Sequence, residues 1–350
     1  MNRKKFIASL SLASIGTGLI NPLSFSNIKI KDEPSVIKPK RLKKGDRIAL
    51  ITPGSYITES ELQDSIKNLD ELGFEVTFSE RLMLQTGYFS GNDEERAKDL
   101  MEMFERDDVD GIMCARGGYG CARILPLLDY DLFRANPKVL IGYSDVTALL
   151  YGIFQNTGLV TFHGPVSIST FNEFSVDNFK RVLLDPGQDD LFKNANNNED
   201  ENVYGVTTLV SGKGKGRLVG GNLSIIVSLI GTDYDVDYSN KILFIEEIGE
   251  EPYRIDRMLT QLIESGKLEN VSGIMMGIFD DCEPKEKNPA YSKSFTLMDV
   301  LKDRLSNLKV PIVYGMSFGH IKNKFTIPFG AFAELDADNQ TFTLLENAVK

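Results

Sequence analysis

Short apolar runs alternate with helix-patterned stretches through the first half of this 350-residue chain. Asp46 to Thr52, Phe74 to Phe78, Val109 to Cys114 and Val139 to Ile141 read as strands. Between them, Glu59 to Leu72 places Leu62, Ile66, Leu69 and Leu72 at helical spacing and stops at Gly73. Asp93 to Phe104 forms a second helix, opened by Asn92 or Asp93. Such alternation predicts a mostly parallel sheet flanked by helices. In parallel sheets, sites form outside the carboxyl ends of the strands. Two unusual segments fall at such ends: Arg116-Gly117-Gly118-Tyr119-Gly120, and Gly142-Tyr143-Ser144-Asp145.

The second segment puts a serine between a buried strand and a helix-like stretch, Val146 to Phe154. A sharp turn there lifts the hydroxyl out of the backbone, beside the free N–H groups of a helix N-terminus. A serine nucleophile is presented in this way. Ser144 or Asp145 could equally serve as a helix cap. The hydrolase elbow Gly-x-Ser-x-Gly has a second glycine, and Val146 occupies that position here. The tetrapeptide by itself leaves both roles open.

A serine nucleophile needs a base, and a carboxylate to orient that base. The chain has two histidines, His163 and His320, each following an apolar stretch. Sequence alone does not choose between them. Among the many carboxylates, Glu246 and Glu247 stand out because they end the apolar run Ile242 to Ile245. A charged pair at a buried strand end is costly unless it is partnered or functional. Capping a helix in solvent is the other role open to it.

Composition removes several classes of function. A net charge of −11 and a pI near 4.9 argue against nucleic acid as a partner. Three cysteines, with Cys114 and Cys121 seven apart, give neither a disulfide framework nor a zinc spacing. No metal or organic cofactor is expected. Gly212-Lys213-Gly214-Lys215-Gly216-Arg217 lacks the phosphate-loop pattern and reads as a flexible basic turn.

The N-terminus, basic at Arg3-Lys4-Lys5 and uncharged and apolar from Phe6 to Ile20, has the layout of a secretory signal peptide over residues 1–26. An exported, periplasmic protein follows from it; a cytoplasmic one follows if that segment is no functional signal. No later stretch has the roughly 20 apolar residues of a membrane span. Residues 186–202 are polar and read as an exposed connection between an N-terminal α/β domain (43–185) and a C-terminal mixed α/β lobe rich in strands (203–350). In that lobe Gly220-Gly221-Asn222 opens a helix at Leu223. Strands follow at Lys241 to Ile245, Val271 to Phe279, Val310 to Tyr314, Phe325 to Phe329 and Thr341 to Leu345.

Taken in order, Arg116-Gly117-Gly118-Tyr119-Gly120, Gly142-Tyr143-Ser144-Asp145, His163-Gly164-Pro165, Gly220-Gly221-Asn222-Leu223, Phe244-Ile245-Glu246-Glu247 with Tyr253 to Arg257, and Phe318-Gly319-His320 resemble the LD-carboxypeptidase family of serine peptidases. That family includes murein tetrapeptide carboxypeptidases and microcin C immunity peptidases. The resemblance spans about residues 43 to 345. It implies Ser144 as nucleophile, Glu246 as orienting carboxylate and His320 as base. It implies the N–H groups of Gly118 and Asp145 as an oxyanion hole, and Asn222, Tyr119 and His163 on the substrate side. The family often has Glu-Asp where this chain has Glu246-Glu247, so Glu246 follows from aligning the preceding apolar run. The implied reaction is hydrolysis of the amide between an L-configured centre and a terminal D-amino acid in murein tetrapeptide. A peptide–nucleotide detoxifying peptidase and a non-catalytic muropeptide-binding protein are the alternatives. The resemblance also implies a homodimer.

Overall fold

The computed structural model describes residues 35–187, 190–195, 205–285 and 293–350. The signal-like residues 1–26 lie outside them. The first half runs β1 (Arg47–Ile51), α1 (Glu59–Leu72), β2 (Glu75–Thr77), α2 (Asp93–Glu105), β3 (Gly111–Cys114), α3 (Cys121–Ile124), α4 (Tyr130–Ala135), β4 (Val139–Gly142), α5 (Thr147–Thr157), β5 (Thr161–His163) and α6 (Glu173–Leu183). The helix boundaries follow from local chemistry. Thr58 and Glu61 form a capping box at the start of α1, and Gly73 ends it with φ 89°. Asn92 and Glu95 do the same for α2. Strands β1 to β5 are all parallel and stand in the order β5-β4-β3-β1-β2. Leu50, Ile112, Leu140 and Phe162 fill the core on this sheet.

The second half runs β6 (Asp190–Phe192), β7 (Thr207–Val210), β8 (Lys213–Asn222), α7 (Leu223–Leu229), β9 (Lys241–Ile248), α8 (Pro252–Glu264), β10 (Gly273–Asp280), α9 (Leu297–Leu305), β11 (Ile312–Tyr314), β12 (Ile327–Phe329), β13 (Phe332–Asp336) and β14 (Thr341–Leu344). An eight-stranded mixed sheet has the order β6-β14-β13-β8-β9-β10-β11-β7. Its centre, β8 to β11, is parallel, and its flanks are antiparallel. The two-lobed α/β architecture therefore matches the expectation from the sequence. β12, however, leaves the second lobe and pairs antiparallel with β5, as the sixth strand of the first sheet. The segment between β11 and β12 thus passes from one sheet to the other, and it contains His320.

Two sequence expectations are corrected. Gly212 to Arg217 is no flexible turn: from Lys213 onward it is the start of β8. Its lysines point out and pair across the strand gap, Lys213 with Asp336 at 2.7 Å and Lys215 with Glu334 at 2.9 Å. Its glycines point in, where neighbouring backbone lies very close. A Cβ at Gly214 would stand 2.0 Å from the Ser272 carbonyl oxygen. Glycine here serves close approach of strands, not a turn. The exposed connection over 186–202 is likewise interrupted by β6, whose Phe192 is fully buried and stacks on Phe342 at 4.5 Å. Residues 188, 189 and 196–202 lie outside the described residues.

Candidate active site

The turn after β4 has the geometry that the sequence left undecided. Ser144 has φ 63°, a conformation that residues with a Cβ rarely adopt. It opens a single 3₁₀ turn, Ser144–Val146, which runs into α5. Neither Ser144 nor Asp145 caps that helix, since both N-cap positions lack a side-chain bond. The Asp145 carboxylate instead accepts the Cys121 N–H at 2.8 Å, tying the turn to the glycine-rich segment, and burial raises its pKa. The missing second glycine also has a physical reason. The Val146 side chain fills the space beside Gly142, where a Cβ would stand 2.9 Å from it.

Arg116 to Gly120 wraps against this turn. A Cβ at Gly117 would lie 3.1 Å from the Ser144 Cβ and 3.2 Å from the Asp145 nitrogen. Gly118 has φ 94°, and a Cβ there would meet the Ser55 hydroxyl at 2.3 Å. Among the described residues, neither the Gly118 nor the Asp145 N–H is paired with an acceptor. Two free donors therefore stand in the Ser144 turn and in the glycine-rich segment packed against it. Tyr119 follows with an exposed ring that packs against Tyr88 and Phe89.

Across from this turn, His320 Nδ1 lies 2.8 Å from Glu246 Oε2. Glu246 is fully buried, and a Cβ at Gly319 would stand 3.2 Å from its Cβ, so only glycine lets the His320 segment lie this close. The Tyr143 ring packs edge-on against the imidazole of His320, centroids 4.8 Å apart. The residue before Ser144 thus joins the two halves of the site.

The choice between the adjacent glutamates is visible in their partners. Side chains alternate along a strand, so Glu246 and Glu247 face opposite sides of β9. Glu247 accepts the Asn222 amide at 3.0 Å, the Ser224 N–H at 2.7 Å and the Ile248 N–H at 2.9 Å. Burial raises its pKa. It completes the start of α7 and does not touch His320.

Two residues expected on the substrate side are buried. Asn222 is buried; besides its bond to Glu247, its Oδ1 accepts from Ser224 Oγ and Ile225 N–H. His163 is 1% exposed, enclosed by the rings of Tyr143, Phe244 and Phe318. Asn222 ends β8 in register with Glu246, and His163 ends β5. Conversely, sequence reading passed over Tyr143 and Lys324. Lys324 is 6% exposed, and its ammonium stands 5.3 Å from the Tyr143 ring centroid. The available signal was its position directly before the apolar run at Phe325.

Burial lowers the His163 pKa to about 4. A histidine depressed in the folded state stabilises the fold above its unfolded pKa near 6.5 and loses that contribution as pH falls towards about 4. Thermal unfolding should therefore show stability falling over that interval, by up to about 3 kcal/mol from this group. His163→Gln should flatten this part of the curve. An unchanged pH dependence in the variant would mean that His163 titrates normally.

Comparison with known proteins agrees with the geometry. Residues 48–164 match the LD-carboxypeptidase N-terminal domain, and residues 215–335 match the LD-carboxypeptidase C-terminal domain. A probable murein peptide carboxypeptidase of Bacillus subtilis is 41% identical over 304 residues, covering 87% of this chain and 93% of that protein. The microcin C7 self-immunity protein MccF, solved in complex with aspartyl sulfamoyl adenosine, superposes with a TM-score of 0.79 at 28% identity, covering 90% of this chain and 100% of that one. A muramoyltetrapeptide carboxypeptidase from Oxalobacter formigenes gives 0.71 at 31% identity, covering 85% and 97%. The chain belongs to the LD-carboxypeptidase family and is an enzyme of its serine-hydrolase type.

Proposed function

We propose that Ser144, His320 and Glu246 form a catalytic triad that hydrolyses an amide at a small aminoacyl or peptidyl end. The observation that supports this most directly is the 2.8 Å contact of His320 with Glu246, beside a Tyr143 ring that joins His320 to the strained Ser144 turn. A carboxylate only accepts, so Nδ1 carries the proton and Nε2 is left as the acceptor. Nε2 takes the Ser144 proton as Oγ attacks the carbonyl carbon, then returns it to the leaving nitrogen. Water hydrolyses the resulting ester by the same route. The N–H groups of Gly118 and Asp145 stabilise the oxyanion, at about 3–4 kcal/mol per donor.

Two substrate classes contain such a bond. The aminoacyl–nucleotide class leads, because the same fold has been solved holding aspartyl sulfamoyl adenosine. The murein tetrapeptide class is supported by the 41% identical relative and by the Oxalobacter enzyme. Incubating the protein with a peptidyl sulfamoyl adenosine and with a murein tetrapeptide, followed by mass spectrometry, decides between them. Release of D-alanine with no cleavage of the nucleotide conjugate would reverse the order. Cleavage of neither, with no labelling by a fluorophosphonate, would overturn the triad itself.

A further inference from the structure

Behind the pair of His320 and Glu246 lies a charge that the triad as written does not use. Lys324 follows His320 by one helical-turn's worth of chain, just before the segment enters the first sheet as β12. It is almost wholly buried. Its backbone N–H donates to Ser175 Oγ at 3.0 Å, and Ser175 Oγ donates to the Lys322 carbonyl at 2.9 Å, so α6 fixes the segment's path. Its ammonium sits over the face of the Tyr143 ring, 5.3 Å from the centroid. The same ring packs against His320 on another side. A cation over an aromatic face is held by the ring's quadrupole, and more strongly where water is excluded.

Glu246 supplies the second half of the observation. Its Oε2 meets His320, but its Oε1 is buried with no hydrogen-bond partner among the described residues. A buried carboxylate with one satisfied oxygen is costly unless a positive charge lies near. Glu246 and Lys324 feel each other's charge, although no direct ion pair joins them. The interaction therefore acts through space, in a setting where screening by water is weak.

Resting on the triad reading above, we propose that Lys324 is a positioning residue: its ammonium balances the buried Glu246 carboxylate and clamps the Tyr143 ring against the His320 imidazole. It holds the base in register with Ser144 and touches no reacting atom.

Burial lowers the lysine pKa to about 8, while the Glu246 charge opposes that shift. The groups facing Lys324 are Glu246 on β9, Tyr143 on the turn after β4 and His163 on β5. Tyr143 is raised to about 12 and His163 lowered to about 4, so neither titrates between pH 7 and 10. Loss of the Lys324 proton should accordingly reduce turnover above about pH 8.

The test uses the full chain and the variants Lys324→Met, which removes the charge at similar length, and Lys324→Arg, which keeps a charge that does not titrate. In Lys324→Met, kcat should fall about tenfold or more, equivalent to one pKa unit of lost electrostatic support, with KM little changed. Lys324→Arg should recover part of that loss and move the alkaline fall to higher pH. A rise in KM at constant kcat would overturn the proposal, because the ammonium would then be binding substrate. Unchanged kcat and an unchanged alkaline limb in Lys324→Met would overturn it too. A readout independent of turnover is the ¹⁵N signals of the histidine rings, of which the chain has two. The His320 signals should move in Lys324→Met and stay near their wild-type positions in Lys324→Arg. Signals that overlay in all three proteins sink the positioning role whatever the substrate. Absence of turnover and of fluorophosphonate labelling in the wild type speaks only against the triad.

Discussion

Ser144→Ala is expected to abolish hydrolysis, lowering kcat by about 10⁴-fold to 10⁶-fold, while leaving the fold intact. Ser55, whose hydroxyl lies beside Gly118, accepts the Tyr119 N–H at 3.3 Å and has no place in the triad. On the triad proposed above, the chemistry requires the Ser144 hydroxyl. The fold does not, since Ser144 has φ 63° and alanine has the same Cβ and the same strain there. Thermal midpoints of wild type and Ser144→Ala should therefore coincide. Ser144→Gly separates the two effects further. It is equally inactive, but glycine adopts positive φ without strain, so it should be more stable by about 1 kcal/mol. Turnover by Ser144→Ala within tenfold of wild type would remove Ser144 as nucleophile. A Ser144→Gly variant no more stable than wild type would show that the turn holds no strain.

How far the sequence revealed this site depends on what each residue does locally. The strand–turn–helix around Ser144 was legible because apolar runs and helical spacing are one-dimensional signals. The positive φ was not, because the position has no glycine to announce it. Gly118 was legible as part of a glycine-rich segment at a strand end, and its φ of 94° explains the residue type. By contrast, Gly212 to Arg217 misled. Alternating lysine and glycine resembles a turn, and only the backbone of neighbouring strands explains why those glycines lie inside a sheet. His163 and Asn222 were found as motif members, but their burial depends on contacts with β9 and with the segment around Phe318, far away in sequence. For Lys324 the only signal was its place directly before the apolar run at Phe325, which does not reveal burial. Its environment is created when β12 crosses into the first sheet.

The neighbouring glutamates give the second large effect, and in opposite observables. Glu246→Gln should lower kcat by about 10²-fold to 10⁴-fold, because an amide no longer dictates which nitrogen of His320 bears the proton. Its fold should persist, with some loss of stability as the buried Lys324 ammonium loses its counter-charge, since among the described residues Glu246 makes one side-chain hydrogen bond, to His320. Glu247→Gln should keep most of its activity and lose stability. The Ser224 N–H and the Asn222 amide both need acceptors, and an amide presents one oxygen where the carboxylate presents two. Leaving one donor unmatched costs about 1–3 kcal/mol. The pH dependence gives a second signature. Burial raises the folded pKa of Glu247 above 4.5, so its contribution to stability is present at low pH and is lost as pH rises through the folded value. Glutamine has no such titration. The stability gap between Glu247→Gln and wild type should therefore narrow as pH rises from about 4.5 through the raised folded value, as read by thermal unfolding. Should Glu247→Gln prove inactive and Glu246→Gln active, the roles exchange, and His320 must then reach the other face of β9. Adjacent strand residues cannot share a face, so only one of the two can orient the base.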